Sequence, residues 1–307
     1  MRPARGLPGL EIYVDGSFVS KDDARVSVFD HGFLYGDGVF EGIRAYEGRI
    51  FRLKEHIDRL YQSAGALMLE IPVSPAEMAE VVREACARNG LHDAYIRLIV
   101  SRGPGDLGLD PRKCTEPTVV CIADRIALFP PETYEKGIRV GAVSTRRTPT
   151  ESLNARIKSL NYLNSILAKI ESNLAGHAEA LMMTQEGYVA EGPGENIFIV
   201  RGGRLLTPPS HLGILEGITR AAIMDLARGR GIPLAEAVFT RHDVWTADEA
   251  FFCGTACEIM PITACDGRQI GDGRPGPVTR QLTADFRALV AREGVPIAAP
   301  AHADNQE

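Results

Sequence analysis

The sequence lacks the patterns that mark several large classes of protein. It has no dense run of lysine and arginine, and its net charge of −6 and pI of about 5.7 give nucleic-acid binding little support. No apolar run approaches the roughly 18 residues that a membrane span needs. The stretch MRPARGLPGLEIYVDG lacks the continuous apolar core of a signal peptide. We therefore expect a globular protein of the cytoplasm.

Metal-binding spacings are also missing. The 6 cysteines form no C-x-x-C pair, and the 7 histidines form no H-E-x-x-H motif. A chain of 307 residues does not need disulfides to hold its core together. We predict scattered buried thiols and no metal site.

What is present is ordinary globular composition, 45% hydrophobic and 24% charged, in a length that suits two domains of about 150 residues. The stretch DRIALFPPETYEKG, residues 124–137, has a proline pair and loses periodicity, which is typical of a linker. We expect a small N-terminal α+β domain at 1–123 and a larger domain at 138–307.

The first half is predicted to contain paired strands and about two helices. EIYVDGSFVS and VFEGIRAYEGRIFRL each place two short runs around a tight turn, at Asp15-Gly16 and Glu47-Gly48, which predicts two hairpins. SPAE, beginning at Ser74, holds an N-cap serine, a proline at the first helical position and the glutamate of a capping box. That helix should run to about residue 89, and YIRLIVS and PTVVCIA should be strands. In KEHIDRLYQSAGALML one helical face should hold Ile57, Leu60, Tyr61, Ala64, Leu67 and Met68.

The second half alternates strands with helices. IRVGAVST, EALMMT, NIFIV and EAFFCG are strand-like, whereas ITRAAIMDLARGRG and TRQLTADFRALVAREG are helical. A further helix follows RIKSLNYLNSILAKI and should end near Leu174. Its apolar positions are Leu160, Leu163, Ile166, Leu167, Ile170 and Leu174, so it should begin close to Ser159 or Asn161.

Lys158 stands just before this pattern, where a helix prefers an acidic residue. The helix dipole and the nearby Arg156 both favour the uncharged amine. An uncharged amine is what a Schiff-base lysine offers as a nucleophile. From this stretch alone, a solvated loop lysine is the more common alternative.

Three glycine-containing turns could serve a ligand. In AEGPGENIFIV, Glu191 could pair with the protonated ring nitrogen of a pyridine cofactor. LEGITRAAIMDLA opens a helix, with Thr219 as cap, where backbone N–H groups can bind an anion. In FFCGTACEIMP, the small residues Gly254, Thr255 and Ala256 let backbone amides approach a ligand. A solvated glutamate, an ordinary helix start and a plain strand-end turn are the respective alternatives.

Two strands carry a candidate substrate-binding face. Alternation puts Tyr95 and Arg97 on one face of YIRLIV, and Phe40 and Gly42 on one face of VFEGIR. A tyrosine beside an arginine can hold a carboxylate, and Phe40 offers an apolar wall. The alternative is one solvated and one buried face of an ordinary sheet.

Taken in order, these stretches resemble the branched-chain amino acid aminotransferases, which are pyridoxal phosphate enzymes of fold type IV. The resemblance covers about residues 11–290. It rests on FDHGFLYGDGVFEGIR, HIDRL, AYIRLIV, RGPGDLGLDPRKC, RIKSLNYLNSILAKIE, GYVAEGPGENIFIV, LEGITR, GTACEIMP and GDGRPGPVT. It implies an α/β fold of the α+β type, in two domains, the larger with a β-barrel-like core.

The resemblance also implies roles for residues that bind pyridoxal 5'-phosphate. Lys158 resembles the lysine that forms the internal aldimine and moves the proton between Cα and C4′ in a ping-pong reaction. Tyr162 matches the tyrosine on the phenolic oxygen, Glu191 the acid on the pyridine nitrogen, and Arg59 the phosphate-binding arginine. The remaining cofactor positions are Leu215 against the ring and Gly217, Ile218, Thr219 and Thr255 around the phosphate.

The same resemblance implies how amino acids and 2-oxo acids are bound. Arg97 matches the arginine that holds the distal carboxylate of glutamate or 2-oxoglutarate. The apolar pocket for leucine, isoleucine or valine is matched by Tyr35, Phe40 and Gly42. The substrate α-carboxylate is matched by Thr255, Ala256 and Tyr95. The family implies at least a homodimer, in which the LGLDP loop, residues 107–111, completes the partner's pocket.

Relatives within fold type IV are the main alternatives. D-amino acid transaminases typically carry an R-x-H pair after the strand that here reads YIRLIVSRGPGDLG, and this chain has no histidine there. The GDLGLDP and VFEGIR motifs argue against aminodeoxychorismate lyase. Activity on (R)-amines stays open as a side reaction. A ligand-binding member without catalysis is disfavoured because Lys158, Tyr162, Glu191 and Arg59 are all present.

Overall fold

The computed structural model describes residues 9–125 and 129–297. The strands are β1 (Glu11–Val14), β2 (Ser17–Ser20), β3 (Gly38–Tyr46), β4 (Arg49–Ile50), β5 (Ala94–Ser101), β6 (Thr118–Asp124), β7 (Ile138–Arg146), β8 (Glu179–Met183), β9 (Val189–Glu191), β10 (Asn196–Arg201), β11 (Arg204–Thr207), β12 (Leu234–Glu236), β13 (Glu249–Gly254), β14 (Glu258–Cys265), β15 (Arg268–Gln269) and β16 (Val295–Pro296). The helices are α1 (His31–Tyr35), α2 (Leu53–Ala66), α3 (Pro75–Arg88), α4 (Pro131–Lys136), α5 (Leu163–Leu174), α6 (Ile218–Gly229), α7 (Arg241–Trp245) and α8 (Pro277–Arg292), with 3-10 turns at Pro111–Lys113 and Ser210–Leu212.

The chain divides into two compact units. The first holds residues up to 126 together with 158–160 and those from 290 onward; the second holds 127–157 and 161–289. The sequence assigned everything from residue 138 onward to the second domain. Residues 158–160 instead join the first unit because their backbone pairs with β3. The predicted linker, 124–137, contains the short helix α4.

The first unit is built on an antiparallel sheet of 7 strands, in the order β16-β4-β3-β5-β6-β1-β2. Helix α2 packs on β3 and helix α3 on β6. Both predicted hairpins are confirmed, and residues 15, 16, 47 and 48 all have positive φ, as tight two-residue turns require. Burial alternates along β5, with Ile96 and Leu98 buried and Tyr95 and Arg97 half-buried.

Local signals fix the ends of α3 correctly but not those of α2. The capping box of Ser74 and Glu77 is present, and α3 ends at its C-cap residue, Asn89. Helix α2 was expected to carry Leu67 and Met68, yet it ends at Ala66, and Met68 is 88% exposed. The reason is non-local, since the Arg102 guanidinium donates to the carbonyls of Leu67 and Met68 at 2.7 and 2.8 Å.

The second unit is built on a mixed sheet of 9 strands, in the order β12-β11-β10-β13-β14-β7-β8-β9, with β15 paired to β14. Three pairs are parallel, namely β11 with β12, β14 with β7 and β7 with β8. Its core contains Phe198 stacked on Phe251, with ring centres 5.1 Å apart. The apolar strands predicted in this half are confirmed as β7, β8, β10 and β13.

Helix α5 begins later than predicted. Tyr162 is its N-cap and Leu163 its first residue, whereas the apolar period indicated a start near Ser159 or Asn161. Residues 158–160 are extended because Phe40 N–H donates to the Lys158 carbonyl and Leu160 N–H to the Gly38 carbonyl, each at 2.9 Å. The apolar period therefore continues through a strand-like segment into the helix.

The face that α5 buries is also unexpected. Its buried residues are Ser165, Ala168 and Ser172, and Glu171 accepts hydrogen bonds from residues 144 and 145 of β7. The apolar side chains lie on the opposite, exposed face. These are Leu163, Ile166, Leu167, Ile170 and Leu174, between 48% and 85% exposed.

None of the helices in the described ranges has the length and apolar character to cross a membrane. Five of the six cysteines are buried, Cys114 is half-buried, and all six are free thiols.

Candidate active site

Lys158 is fixed through its backbone to two elements of the first unit. Its carbonyl accepts from Phe40 N–H at 2.9 Å, and its own N–H donates to the Ser63 hydroxyl, on α2, at 3.1 Å. Its Nζ lies 4.6 Å from the centre of the Phe40 ring. The lysine is thus presented from an extended segment beside β3, and not from the first turn of a helix.

This position changes the reasons given for an uncharged amine. The first residue of α5 is Leu163, so Lys158 lies beyond the first turn, to which the effect of the helix dipole is limited. The Arg156 guanidinium is paired with Glu216 at 3.2 Å, which offsets its charge. Both expected causes are therefore weaker than the sequence implied. The prediction that Tyr162 lies one helical turn from Lys158 was wrong because residues 158–160 are extended.

Four predicted substrate residues lie together on β3 and β5. Gly42 is directly opposite Arg97 in the register. The Arg97 guanidinium donates to the Tyr95 hydroxyl at 3.1 Å, and its Cζ lies 4.6 Å from the Phe40 ring centre. Gly42 is required here, since a Cβ at that position would overlap the Tyr95 hydroxyl. This face therefore combines an aromatic wall, one cation and the Lys158 amine.

Tyr35 makes a contact that the sequence did not indicate. Its hydroxyl donates to the Leu107 carbonyl at 2.6 Å, while His31 Nε2 lies 2.8 Å from the Asp106 carbonyl oxygen. Tyr35 and His31 therefore hold the beginning of the LGLDP loop beside α1. Leu107 and Leu109 are 69% and 77% exposed.

Arg59 is held by a completely buried carboxylate. Glu41 accepts from Arg59 Nε at 2.7 Å and from Nη2 at 2.8 Å, and His56 Nδ1 lies 2.7 Å from the same carboxylate. Burial alone would raise the pKa of Glu41, but the Arg59 guanidinium and its hydrogen bonds lower that pKa to about 2. Sequence reasoning missed Glu41 and His56, although an acid between Phe40 and Gly42 was a signal of an inward-facing charge.

In the second unit, Glu191 lies at the centre of a polar network and is 4% exposed. Arg147 Nη2 lies 2.7 Å from one carboxylate oxygen. The other oxygen accepts from the Asn196 amide at 3.1 Å and from Leu215 N–H at 3.0 Å. Sequence reasoning missed Arg147 and Asn196. The network holds the Glu191 carboxylate in a fixed orientation beside Leu215.

The N-terminus of α6 carries the predicted anion site. Its N-cap is Gly217, which has no side chain to cap the first N–H groups. Thr219, predicted as the cap, is the second helical residue and is 3% exposed. Gly217 is required because a Cβ would overlap the Asn196 amide oxygen. The first N–H groups of this helix of 12 residues can therefore receive an anion.

Thr255 and Ala256 lie in the turn between β13 and β14, where Gly254 pairs with Glu258. Both residues are half-buried. The next residue, Cys257, is buried, and burial raises the pKa of its thiol. Glu258 has a φ of +56°, so the turn closes in a conformation that few side chains adopt.

The residues present fit pyridoxal phosphate by their chemistry. Arg59 and the uncapped start of α6 suit a phosphate, a buried carboxylate with fixed partners suits a protonated pyridine nitrogen, and Lys158 offers a primary amine. Lys158, Arg59, Phe40, Gly42, Tyr95 and Arg97 belong to the first unit, and Tyr162, Glu191, Leu215, Gly217, Ile218, Thr219, Thr255 and Ala256 to the second. The described residues contain no cluster of three ligating side chains that could hold a metal ion.

Comparison with known proteins identifies the family. Residues 38–265 match the model of class IV amino-transferases, so the chain belongs to that family, and within it to the branched-chain amino acid aminotransferases. It is 53% identical to a putative branched-chain-amino-acid aminotransferase of Methanocaldococcus jannaschii, over 94% of this chain and 99% of that one. The Escherichia coli enzyme's crystal structure superposes with a TM-score of 0.89 at 37% identity, covering 91% and 94% of the two chains.

A further solved structure shows the ligand chemistry of the family. It is a branched-chain amino acid aminotransferase from T.th., complexed with N-(5'-phosphopyridoxyl)-L-glutamate. It is 40% identical to this chain, with a TM-score of 0.86 over 91% of this chain and 93% of that one. The mixed α/β fold, with an antiparallel N-terminal sheet and a curled half-barrel sheet in the second half, is confirmed. Dependence on pyridoxal phosphate and branched-chain transamination with glutamate are confirmed as well.

Proposed function

We propose that Lys158 is the catalytic residue of this transamination, acting as the amine that binds the cofactor and then as the base at the substrate Cα. Bound pyridoxal phosphate supplies an electron sink for the pair left at Cα when its proton is removed. Lys158 takes that proton and returns it at the neighbouring carbon. Its fixed backbone, held from β3 and α2, supports this role because proton transfer needs a defined position.

Glu191 is the partner of the pyridine nitrogen in this proposal. A carboxylate that is buried and ion-paired stays available as an acceptor, and Arg147 with Asn196 fixes its direction. Tyr162 would donate to the phenolic oxygen, and Leu215 would pack against the ring. Arg59 and the first N–H groups of α6, at Gly217, Ile218 and Thr219, would bind the phosphate together with Thr255.

The observation that carries the substrate assignment is the arrangement of Arg97, Phe40 and Tyr95. One cation lies against two aromatic rings, within an otherwise apolar face. Such a face can receive a leucine, isoleucine or valine side chain against Phe40, and the distal carboxylate of glutamate against Arg97. Thr255 and Ala256, through the backbone of their turn, would receive the α-carboxylate.

The test is a panel of half-reactions with L and D amino acids and (R)-amines, followed by the absorbance of the cofactor. We expect conversion of L-leucine, L-isoleucine and L-valine, with 2-oxoglutarate regenerating the enzyme. Faster conversion of D-alanine or D-glutamate than of L-leucine would overturn the L-branched-chain assignment in favour of a D-amino acid transaminase.

A homodimer is the smallest assembly that we propose. The first unit exposes apolar side chains around the LGLDP loop and α1, with Phe33 at 74%, Leu107 at 69% and Leu109 at 77%. Clusters of this kind mark interaction surfaces. In the dimer the loop would complete the partner's pocket. Leu109→Asp should therefore both reduce the mass of the assembly and lower activity, whereas Val238→Asp, at an exposed apolar residue of the second unit, should do neither.

The exposed face of α5 is a second candidate contact in the assembly. Leu163, Leu167, Ile170 and Leu174 follow the 4-3-4 spacing of a helix–helix seam, while small polar residues cover the buried side. An identical helix of a second copy can pair with such a seam. Sedimentation of Leu167→Lys should show a smaller assembly; an unchanged mass would remove α5 from the interface. Location in the cytoplasm stays a prediction, which cell fractionation would test.

A further inference from the structure

Glu41 lies on β3 between two residues of the candidate substrate face, and its side chain points to the other side of the strand. It is completely buried. Its two oxygens accept from Arg59 Nε and Nη2 at 2.7 and 2.8 Å, and His56 Nδ1 lies 2.7 Å away. His56 and Arg59 are three residues apart on α2, so one helix face supplies both partners.

The protonation states in this cluster follow from its surroundings. Burial lowers the pKa of His56, so its imidazole is uncharged and its Nδ1–H donates to Glu41. The Glu41 carboxylate stays ionised because Arg59 more than offsets the cost of burial. The cluster is therefore one carboxylate with three charge-assisted donors, and it has no net charge.

Stability alone is a weak reason to keep such a pair. A buried ion pair is often no more stabilising than apolar side chains of the same volume. The contact between Arg59 and Glu41, however, is bidentate, and this geometry fixes the plane of the guanidinium. A fixed plane is what an arginine needs to receive a phosphate in one orientation.

The same two elements also hold Lys158. Phe40, next to Glu41 on β3, donates its N–H to the Lys158 carbonyl at 2.9 Å. Ser63, one turn after Arg59 on α2, accepts from Lys158 N–H at 3.1 Å. The position of Arg59 is thereby tied to that of the lysine through neighbouring residues of one strand and one helix.

We propose that Glu41, assisted by His56, is a positioning residue that orients Arg59 toward the cofactor phosphate at a fixed separation from the Lys158 amine. The proposal rests on the proposed function, in which Arg59 binds the phosphate. It predicts that Glu41 matters for cofactors that carry a phosphate and not for the same ring without one.

The experiment compares the binding of pyridoxal phosphate and pyridoxal to the apo-protein, followed by absorbance. Glu41→Gln keeps the shape of the side chain and removes its charge. We expect about tenfold weaker binding of pyridoxal phosphate and less than twofold change for pyridoxal, which corresponds to one charge-assisted contact. Glu41→Asp, which keeps the charge but shortens the reach, should give a smaller loss of the same kind and serves if Glu41→Gln does not fold.

The matched control is Asp37→Asn. Asp37 makes a similar two-point pair with Arg102 in the same unit, at 2.9 and 3.1 Å, on another part of the sheet. It should leave the ratio of the two affinities unchanged even if it lowers the melting temperature. Equal weakening of both ligands by the Glu41 variants, or no weakening, would overturn the positioning role.

Arg59→Gln separates this inference from the proposed function. If Arg59 binds the phosphate, that variant also weakens pyridoxal phosphate selectively, and a failure of the Glu41 variants then concerns Glu41 alone. If Arg59→Gln leaves the ratio of affinities unchanged, the assignment of the phosphate site is wrong, and the inference about Glu41 is wrong with it.

Discussion

The guanidinium of Arg97 lies against the ring of Phe40, with its Cζ 4.6 Å from the ring centre. A second contact, 3.1 Å from Nη2 to the Tyr95 hydroxyl, holds the other side of the group. The aromatic faces stabilise the cation while no carboxylate is bound. One face can thus serve an aliphatic side chain and a carboxylate without leaving an unpaired charge among methyl groups.

Removing that cation should separate the two substrates. In Arg97→Ala we expect kcat/KM for glutamate to fall about 100-fold, because a charge-assisted contact is lost, and the leucine half-reaction to change less than about threefold. Single-turnover absorbance with each amino acid measures both values. Equal loss with both substrates would mean that Arg97 only supports the strand.

Gly42→Ala tests the space that this arrangement needs. The new Cβ would overlap the Tyr95 hydroxyl, so Tyr95 must move and its contact with Arg97 is lost. We expect KM to rise about tenfold for leucine and glutamate alike. Gly65→Ala on α2, where a Cβ meets nothing, should leave KM unchanged. The double variant Gly42→Ala, Tyr95→Phe should recover part of the loss; no recovery would show that the overlap is not the cause.

Arg147 should matter for folding as well as for the cofactor. Removing one partner of a buried pair leaves the other charge unpaired, so Arg147→Gln should lower the free energy of unfolding of the apo-protein by about 3 kcal/mol. Arg201→Gln, which breaks the exposed pair with Asp243, should cost less than about 1 kcal/mol. Urea denaturation measures both. A similar small effect at the two sites would argue that Glu191 does not depend on Arg147.

The stability of the second unit should depend on pH through Glu195. Burial, followed by the nearby Glu179 carboxylate, raises the pKa of Glu195 to about 7, above its ordinary 4.5. The folded state therefore holds the proton more tightly, and the stabilisation is complete below pH 4.5 and lost as the pH rises through 7. We expect a decrease of about 1–3 kcal/mol from pH 5 to 8, absent in Glu195→Gln. An equal slope in the variant would assign the effect to another group.

Local signals predicted those parts of the fold that depend on neighbouring residues. The capping box at Ser74 and the turns at Asp15-Gly16 and Glu47-Gly48 were predictable because their hydrogen bonds close within a few residues. The start of α5 was not, because residues 158–160 pair with β3, more than 100 positions earlier in the chain. Apolar periodicity has the same appearance in a helix and in the strand that feeds it.

Periodicity also predicts which face of a helix is apolar but not what covers it. On α5 the apolar side chains are exposed, and Ser165, Ala168 and Ser172 are buried instead. Among the candidate site residues, motif order indicated Lys158 and Glu191, but their partners came from distant elements. Arg147 precedes Glu191 by 44 residues, and only the folded sheet brings them within 2.7 Å.

The central claim is that Lys158 is the amine that binds the cofactor. Borohydride reduction of the holoenzyme, followed by peptide mass spectrometry, tests it directly, with Lys169 as the internal control because its Nζ is already bound to Ala178 O and Glu179. We predict the added cofactor mass on the peptide containing Lys158, none on Lys169, and no visible band in Lys158→Ala. Attachment to another lysine, or an unchanged band in Lys158→Ala, would contradict the account.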